Sequence, residues 1–182
     1  MFTDVDNNDS DITKAVESNN NTNLVTASFS GNTLTLDYQA DQNGTATITV
    51  RGTSNGKTVD DAFVVTVTAV NDDPVLSAIG DKSTNEDTDL TINLSGTDVD
   101  IDTDSQTLSY SAESNNETLV NVSTTSPNNS GTLTFDVQDN QHGTAEITVR
   151  VTDSEGVTDS EIITLTVTAV NDDPVLSAIG DK

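Results

Sequence analysis

The block TVTAVNDDPVLSAIGDK at Thr66–Lys82 occurs again, letter for letter, at Thr166–Lys182. A second pair of similar blocks lies upstream of it, GTATITVR at Gly44–Arg51 and GTAEITVR at Gly143–Arg150. Similarity at a fixed spacing means that a chain carries copies of one structural module. A chain of 182 residues therefore holds about two modules, each large enough for its own hydrophobic core.

Apolar and polar residues alternate through most of each module. Thr132–Val137 reads TLTFDV and Thr164–Thr168 reads TLTVT, the two-residue period of half-buried β-strands. In the second module this pattern predicts seven strands, near residues 75–79, 88–95, 106–112, 118–124, 131–137, 144–152 and 160–169. Seven short strands joined by Asn-, Asp-, Ser- and Gly-rich turns predict an all-β, antiparallel sandwich of the immunoglobulin-like or cadherin-like kind.

The first module starts at the counterpart of Gly96, so we expect it to lack the counterparts of the first two strands, Val75–Ile79 and Thr88–Ser95. Its predicted strands lie near residues 12–17, 22–29, 33–38, 45–51 and 58–69. The predicted organisation is a truncated sandwich at 1–70, a linker at 71–74, a complete sandwich at 75–170, and a linker with the first strand of a following repeat at 171–182. An open sandwich exposes a sheet edge, and one hypothesis is that a neighbouring segment, such as the tail Val175–Lys182, completes it as in a strand-exchanged fibre subunit.

The composition excludes several classes of function. Thirty-one Asp and Glu against six Lys and Arg give a net charge of -25, which repels nucleic acid and anionic membranes. The chain has no cysteine for disulfides or thiolate sites, and no apolar run long enough to insert into a membrane. We expect an internal segment of a longer, exported protein.

Acidic residues cluster at particular points of the second module. The sequence Asn71–Asp73 precedes its first strand, Asp98 and Asp100 follow its second strand, and Asp153 lies in its last hairpin. In an extended segment, alternate spacing directs Asp98 and Asp100 to one side, and the topology of a sandwich can bring all these residues to the junction between modules. Clustered carboxylates repel one another unless a hard cation lies among them, and Ca²⁺ binds six to eight oxygens of this type. A plain turn at Asn71–Asp73 is the alternative interpretation.

These motifs resemble those of cadherin-like and bacterial immunoglobulin-like tandem repeats of large surface adhesins. Asn71–Pro74 is similar to the cadherin linker Asp-x-Asn-Asp-x-x-Pro, although Ala69 replaces its leading acid. Asp98 and Asp100 match the Asp-x-Asp element, Asp153 matches the single Asp of the last hairpin, and Glu86 resembles the acidic residue near the first strand. The resemblance implies that these residues bind Ca²⁺ between consecutive domains. Because the linker lacks its leading acid, we expect one or two ions per junction rather than three.

The resemblance implies further sites of the same kind. Glu86 would face the far end of the second module, towards Asn171, Asp172 and Asp173, in a site shared with a following repeat. In the first module Asp4 and Asp6 match the Asp-x-Asp element, but Thr53–Gly56 replaces the hairpin that carries the single Asp.

These features indicate a structural role outside the cell rather than catalysis. The expected function is a calcium-rigidified extender in a bacterial adhesin or extracellular fibre, with neighbouring repeats or identical subunits as partners. A module that binds surface polysaccharide or protein is the alternative. His142 is the only histidine and has no partners for a catalytic triad, and the low aromatic content of 3% argues against a sugar-binding cleft.

Overall fold

A computed structural model describes residues 2–6, 8–127, 129–176 and 180, with the side chain of residue 9 left out. The chain divides into two compact units. Unit 1 comprises Met1–Asn71 with Asp102–Asp104, and unit 2 comprises Asp72–Ile101 with Ser105–Lys182. Residues 177–179, 181 and 182, which belong to the predicted strand at the end of the chain, lie outside the described residues.

Unit 2 is a sandwich of two four-stranded sheets, ordered β10-β11-β8-β6 and β7-β13-β12-β9. The all-β sandwich predicted from the alternation is therefore confirmed. The strands are β6 Val75–Leu76, β7 Lys82–Asn85, β8 Leu90–Thr97, β9 Ser109–Ser114, β10 Val120–Thr125, β11 Ser130–Val137, β12 Gly143–Thr152 and β13 Thr158–Thr168.

The core of unit 2 lies between these sheets and consists of the inward-facing residue of each alternating pair. Leu133 and Phe135 on β11 face Ile147 and Leu165 on the opposite sheet, and all four are fully buried. Each such side chain contributes about 1.5–3 kcal/mol by leaving water. Outward positions such as Asp136 stay exposed, which is why the two-residue period is so clear in the sequence.

The prediction of a single first strand at 75–79 was wrong. Two short strands replace it, since β6 pairs antiparallel with β8 in one sheet and β7 pairs parallel with β13 in the other. The chain changes sheets at Gly80, whose φ of +69° suits glycine. Both carboxylate oxygens of Glu161 hold this corner, accepting the N–H groups of Ile79 at 2.7 Å and Gly80 at 2.9 Å. The described residues of unit 2 therefore form eight strands, where the alternation predicted seven.

The expectation of an extended segment through Asp98 and Asp100 was also wrong. A single turn of helix, α1, spans Asp100–Thr103 directly after β8. Asp98 precedes it and accepts the backbone N–H of Asp100 through Oδ1 at 2.8 Å. An aspartate that bonds the backbone two residues later favours a turn over an extended strand, so the two carboxylates do not follow the alternation of a strand.

Unit 1 contains the sheet β1-β4-β5 and the hairpin β2-β3, packed over a smaller core. Its elements are a 3-10 turn at Asp9–Asp11 and the strands β1 Thr13–Asn19, β2 Val25–Ser30, β3 Thr33–Tyr38, β4 Gly44–Ser54 and β5 Lys57–Val67. By sequence these strands correspond to β9–β13 of unit 2. Within the described part of unit 1, no strand pairs with β3 where β8 pairs with β11, or with β5 where β7 pairs with β13.

Candidate metal centre

Three loops of unit 2 carry four buried or partly buried acidic residues, which we call the acidic cluster: Asp72, Asp98, Asp100 and Asp153. Asp72 precedes β6, Asp98 and Asp100 follow β8, and Asp153 follows β12. All four residues lie in loops just before or just after a strand. The neighbouring strands therefore determine where the backbone of each residue lies.

Asp100 is the centre of the acidic cluster. Asp100 is only 3% exposed, and its Oδ2 accepts the backbone N–H of Asp72 at 2.7 Å. Its own N–H donates to Asp98 Oδ1. A buried carboxylate needs hydrogen bonds of this kind, because losing water without replacement costs several kcal/mol. The bond to Asp72 also attaches the segment before β6 to the loop after β8.

Gln106 joins the hairpin of Asp153 to the same loop. Its Nε2 lies 3.4 Å from Asp100 Oδ2, and its Oε1 accepts the hydroxyl of Ser154 at 3.3 Å. Asp153 itself is 5% exposed and accepts the N–H of Val157 through Oδ1 at 2.7 Å. Sequence reasoning missed Gln106, because a single glutamine in a polar loop has no distinguishing pattern.

Among the described side chains, one buried oxygen of the acidic cluster lacks a hydrogen bond. Asp98 Oδ2 is buried and has no hydrogen-bond partner. An oxygen of a charged group in this state destabilises the fold unless a cation or water meets it. The donor set of the cluster consists of carboxylate and amide oxygens, which suit Ca²⁺. Across the described residues, however, no three Asp, Glu or His side chains are grouped closely enough to hold a metal ion as they stand.

Glu86 lies at another end of unit 2 and is 6% exposed. Its Oε1 accepts the N–H of Val170 at 2.6 Å, just beyond β13, and its own N–H donates to Thr168 O at 2.9 Å. His142 Nδ1 lies 3.3 Å from the second oxygen, Oε2, and its side chain is 61% exposed. The pattern of the sequence contained no signal for this contact with His142.

The remaining predicted ligands are less buried. Asn71 is partly buried, whereas Asp73 is exposed, as are Asn171, Asp172 and Asp173. The amide of Asn171 donates to the backbone oxygen of Asp172 at 2.9 Å. Hydrogen bonds thus connect Asp72, Asp98 and Asp100, whereas Asp153 is linked to them through Ser154 and Gln106. The carboxylates of Asp73 and of the segment after β13 are on the surface.

In unit 1, Asp4 and Asp6 repeat part of the arrangement seen in unit 2. Asp6 N–H donates to Asp4 Oδ1 at 3.0 Å, as Asp100 N–H does to Asp98. Asp6 is exposed, however, unlike Asp100. Both aspartates line a cleft of about 320 Å³ that Lys57 also lines. The positive charge of Lys57 at this cleft makes it less attractive to a divalent cation than the acidic cluster.

Unit 1 also carries an ion-pair network across its sheet. Arg51 on β4 donates to Asp60 on β5 at 2.7 Å and lies 2.8 Å from Glu17 on β1. The hydrogen bond from Arg51 lowers the pKa of Asp60 below its ordinary value. The same bond, with the charges of Asp60 and Glu17, raises the pKa of Arg51 above its ordinary value, although burial opposes this rise. The network connects three strands through exposed side chains.

In the described part of the chain, no helix is long and apolar enough to cross a membrane. A sequence profile described as "Bacterial Ig domain" matches residues 71–166. The chain belongs to this family. The match spans β6 to most of β13 and includes the whole acidic cluster, so the cluster is part of the bacterial Ig domain itself. No curated protein sequence matches the chain.

Solved structures similar to this bacterial Ig domain chain include two protocadherin ectodomain fragments. PcdhgB3 EC1-4 is 16% identical, with 88% of this chain and 41% of that chain covered and a TM-score of 0.55. Protocadherin gammaB7 EC3-6, solved as a cis-dimer, is 19% identical, with 90% of this chain and 41% of that chain covered and a TM-score of 0.54. Domains 4 and 5 of the S-layer protein SbsC are 15% identical, with 92% and 79% covered and a TM-score of 0.45.

At these identities the protocadherin likeness is one of fold alone, and this chain spans about two fifths of each of those fragments. The resemblance to bacterial immunoglobulin-like and cadherin-like repeats is nevertheless confirmed at the level of family and fold.

Proposed function

We propose that this chain is a segment of a tandem-repeat protein of the bacterial surface or of an extracellular fibre, in which bound Ca²⁺ stiffens successive bacterial Ig domains. The proposal assigns the chain a location outside the cell and a structural rather than catalytic role. Support comes from the repeated module, from the family, and above all from Asp98 Oδ2, a buried carboxylate oxygen without a hydrogen-bond partner on a residue that contacts the buried Asp100.

The acidic cluster offers the ligands that such an ion needs. Asp98, Asp100 and Asp153 would supply carboxylate oxygens, and Asp72 would join them because its backbone is already bonded to Asp100. The ion supplies positive charge, which relieves the repulsion among these carboxylates in a protein of net charge -25. With few carboxylates we expect one or two ions and affinities of about 10⁻⁴–10⁻³ M, the range of extracellular calcium modules.

Stiffening follows from where these residues lie in the chain. Asp72 is at the entry to unit 2, and Asp98, Asp100 and Asp153 belong to loops fixed by β8 and β12. An ion held by all of them would fix the entry segment, with Asn71 and Asp73, to the body of the sandwich. A segment fixed in this way loses the freedom of a flexible linker.

Two further sites belong to the proposal. Glu86 would act with Asn171, Asp172 and Asp173 where the chain leaves β13, in a site that a following repeat would complete. Asp4 and Asp6 would form a weaker site in unit 1. Successive sites of this kind would repeat along an array of modules, with neighbouring repeats or identical subunits as the partners.

The test compares the chain in EDTA with the chain in about 10 mM Ca²⁺, well above the expected dissociation constant. Calcium should raise the melting temperature and reduce the flexibility seen in small-angle scattering. Mg²⁺ at equal concentration is the ionic control, since Mg²⁺ demands a smaller octahedral site. If neither the melting temperature nor the scattering responds to Ca²⁺, the calcium part of the proposal is wrong.

A further inference from the structure

The hairpin between β4 and β5 of unit 1 turns on an Asn-Gly pair. Ser54 pairs with Lys57 across the two strands, and only Asn55 and Gly56 lie between them. Both residues have positive φ, +49° at Asn55 and +74° at Gly56. A two-residue turn of this kind requires positive φ at both positions, and Asn followed by Gly adopts it readily. The turn also places the pair on the surface, where both residues are exposed.

An Asn-Gly pair in water has the groups for a reaction with itself. The backbone nitrogen of Gly56 attacks Cγ of Asn55, which closes a five-membered succinimide ring, and the side-chain nitrogen leaves as ammonia with the proton of the Gly56 N–H. Water then opens the ring at either carbonyl. Opening at Cγ gives aspartate, and opening at the main-chain carbonyl gives isoaspartate with a free α-carboxylate. One water enters and one ammonia leaves, so water is the only co-reactant.

Gly56 favours this attack for two reasons. Glycine has no Cβ beside the attacking nitrogen, and its backbone rotates more freely than that of any other residue. The space around it is also open, because a Cβ built on Gly56 would meet no other atom within 4 Å. The turn therefore leaves room for the ring to form and for water to reach it.

The sequence contains one other Asn-Gly pair, Asn43–Gly44, and its surroundings oppose the same reaction. Asn43 is partly buried, and its Nδ2 donates to Oδ1 of Asp104 at 2.7 Å. Gly44 is already the first residue of β4, where it pairs with Val67. Reaction at Asn43 requires the loss of a hydrogen bond to a charged group, which slows it by about tenfold or more.

Conversion of Asn55 changes the charge of the cleft beside the hairpin. Asn55 lines the cleft of about 320 Å³ that Asp4, Asp6 and Lys57 also line. Two carboxylates and one ammonium group are present before conversion, and a third carboxylate is added by it. In unit 2 the equivalent hairpin carries the buried Asp153. The reaction thus gives the hairpin of unit 1 the type of group that its sequence lacks.

We propose that Asn55–Gly56 is a self-modification site, at which the hairpin of unit 1 loses ammonia and gains a carboxylate at the cleft of Asp4 and Asp6. The reaction runs in one direction, because the ammonia is lost to the solvent. A gain in cation binding at this cleft is a consequence that rests on the proposed function, in which Asp4 and Asp6 form the weaker site. One further carboxylate about 8 Å from a divalent ion lowers its dissociation constant about fivefold in water.

The first experiment stores the full chain at mildly alkaline pH in water enriched in heavy oxygen. Peptide mapping by mass spectrometry should find a carboxyl group in place of the amide at Asn55, with one heavy oxygen incorporated, as a mixture of aspartate and isoaspartate. Asn55 should convert about tenfold faster than Asn43. Gly56→Ala keeps Asn55 and has room for the new Cβ, and it should lose the conversion over the period in which half of the natural sequence converts.

The second experiment measures the consequence for the cleft with the variant Asn55→Asp, which carries the aspartate product from the start. Titration with CaCl₂, followed through the amide NMR signals of Asp4 and Asp6, should reach its midpoint at about fivefold lower Ca²⁺ than in the natural sequence. Gln42→Glu is the matched control, because it makes the same change of charge at an exposed position at the opposite end of β4. Its midpoint should equal that of the natural sequence.

Two results would overturn the proposal: conversion at Asn55 no faster than at Asn43, and equal rates for Gly56→Ala and the natural sequence. Equal Ca²⁺ midpoints for Asn55→Asp and the natural sequence would refute the gain in cation binding alone. If the signals of Asp4 and Asp6 respond to Ca²⁺ in neither protein, the calcium site proposed for unit 1 is wrong, whereas the masses decide the conversion at Asn55 independently.

Discussion

Replacing Asp98 by Asn removes a negative charge from the acidic cluster while keeping the shape of the side chain. Asn retains the oxygen that accepts the N–H of Asp100, so the turn after β8 keeps its bond. The variant replaces Oδ2, the buried oxygen that has no hydrogen-bond partner. Its two expected effects have opposite signs, one in the presence of EDTA and one in the presence of Ca²⁺.

In EDTA, Asp98→Asn should stabilise the protein. The amide nitrogen that replaces Oδ2 is a polar group as well, so the gain comes from removing a negative charge next to Asp100, and two like charges about 4 Å apart repel by about 1 kcal/mol in water. The free energy of unfolding of unit 2 should therefore rise by about 1 kcal/mol. For a domain of this size that corresponds to an increase of about 4 °C in melting temperature.

In Ca²⁺ the same variant should lose stabilisation. At about 10 mM Ca²⁺, dissociation constants of about 10⁻⁴–10⁻³ M give about 1.4–2.7 kcal/mol of stabilisation per site. A tenfold weaker site, expected from the loss of a charged ligand, gives about 1 kcal/mol less. The rise in melting temperature on adding Ca²⁺ should thus be several degrees smaller in Asp98→Asn than in the natural sequence.

Calorimetric melting of both proteins in EDTA and in Ca²⁺ checks these values. Asp136→Asn, an exposed position on β11, is the matched control because it makes the same change of charge outside the cluster. The control should melt like the natural sequence under both conditions. The reasoning fails if Asp98→Asn is destabilised in EDTA, or if its response to Ca²⁺ equals that of the control.

Three further changes test other parts of the structure. Glu161→Gln should lower the free energy of unfolding by about 1–2 kcal/mol in urea titrations, because an amide has one acceptor oxygen for a corner that uses two; Asp61→Asn in unit 1 is its control. Gly131→Ala should cost about 1–3 kcal/mol in the same assay, since the added Cβ would collide with the backbone oxygen of Thr125, and an unchanged stability would refute that packing. The pKa of Asp60 is lower in the folded than in the unfolded protein because of its bond with Arg51. This pairing contributes its full stabilisation above the unfolded pKa of about 4, and the stabilisation is lost as pH falls through the folded pKa. Asp60→Asn should flatten the loss of melting temperature over that acidic range, and an identical pH profile would contradict the assignment.

The strands of the sandwich were predictable because burial imposes a period of two on the sequence. The predicted strands corresponding to β8–β13 start within three residues of the observed ones. Strand β7 was not predictable, since Lys82–Asn85 reads KSTN and contributes backbone hydrogen bonds to β13 rather than an apolar face. The helical turn at Asp100 is too short for a helical period to show.

The sequence was enough to propose the acidic residues as candidate ligands, but it could not predict the environment of each one. Asp72 and Asp73 are adjacent in one motif, yet the N–H of Asp72 is bonded to Asp100 while Asp73 faces solvent. Burial of Asp153 and Glu86 depends on neighbouring strands rather than on neighbouring residues. The role of Gln106 as a link between two loops likewise depends on tertiary structure and has no counterpart in a motif.

The parallel pairing of β7 with β13 has a consequence for a protein under tension. Force applied to the two ends of unit 2 would pull β7 towards its N-terminus and β13 towards its C-terminus. Because the two strands run in the same direction over Lys82–Asn85 and Leu165–Thr168, their hydrogen bonds are loaded together in shear rather than broken one after another. The corner at Glu161 adds two bonds to the same load path. Resistance to forced unfolding depends on the rate of unfolding, and this arrangement carries the load between β7, the second strand of the module, and β13, its last strand.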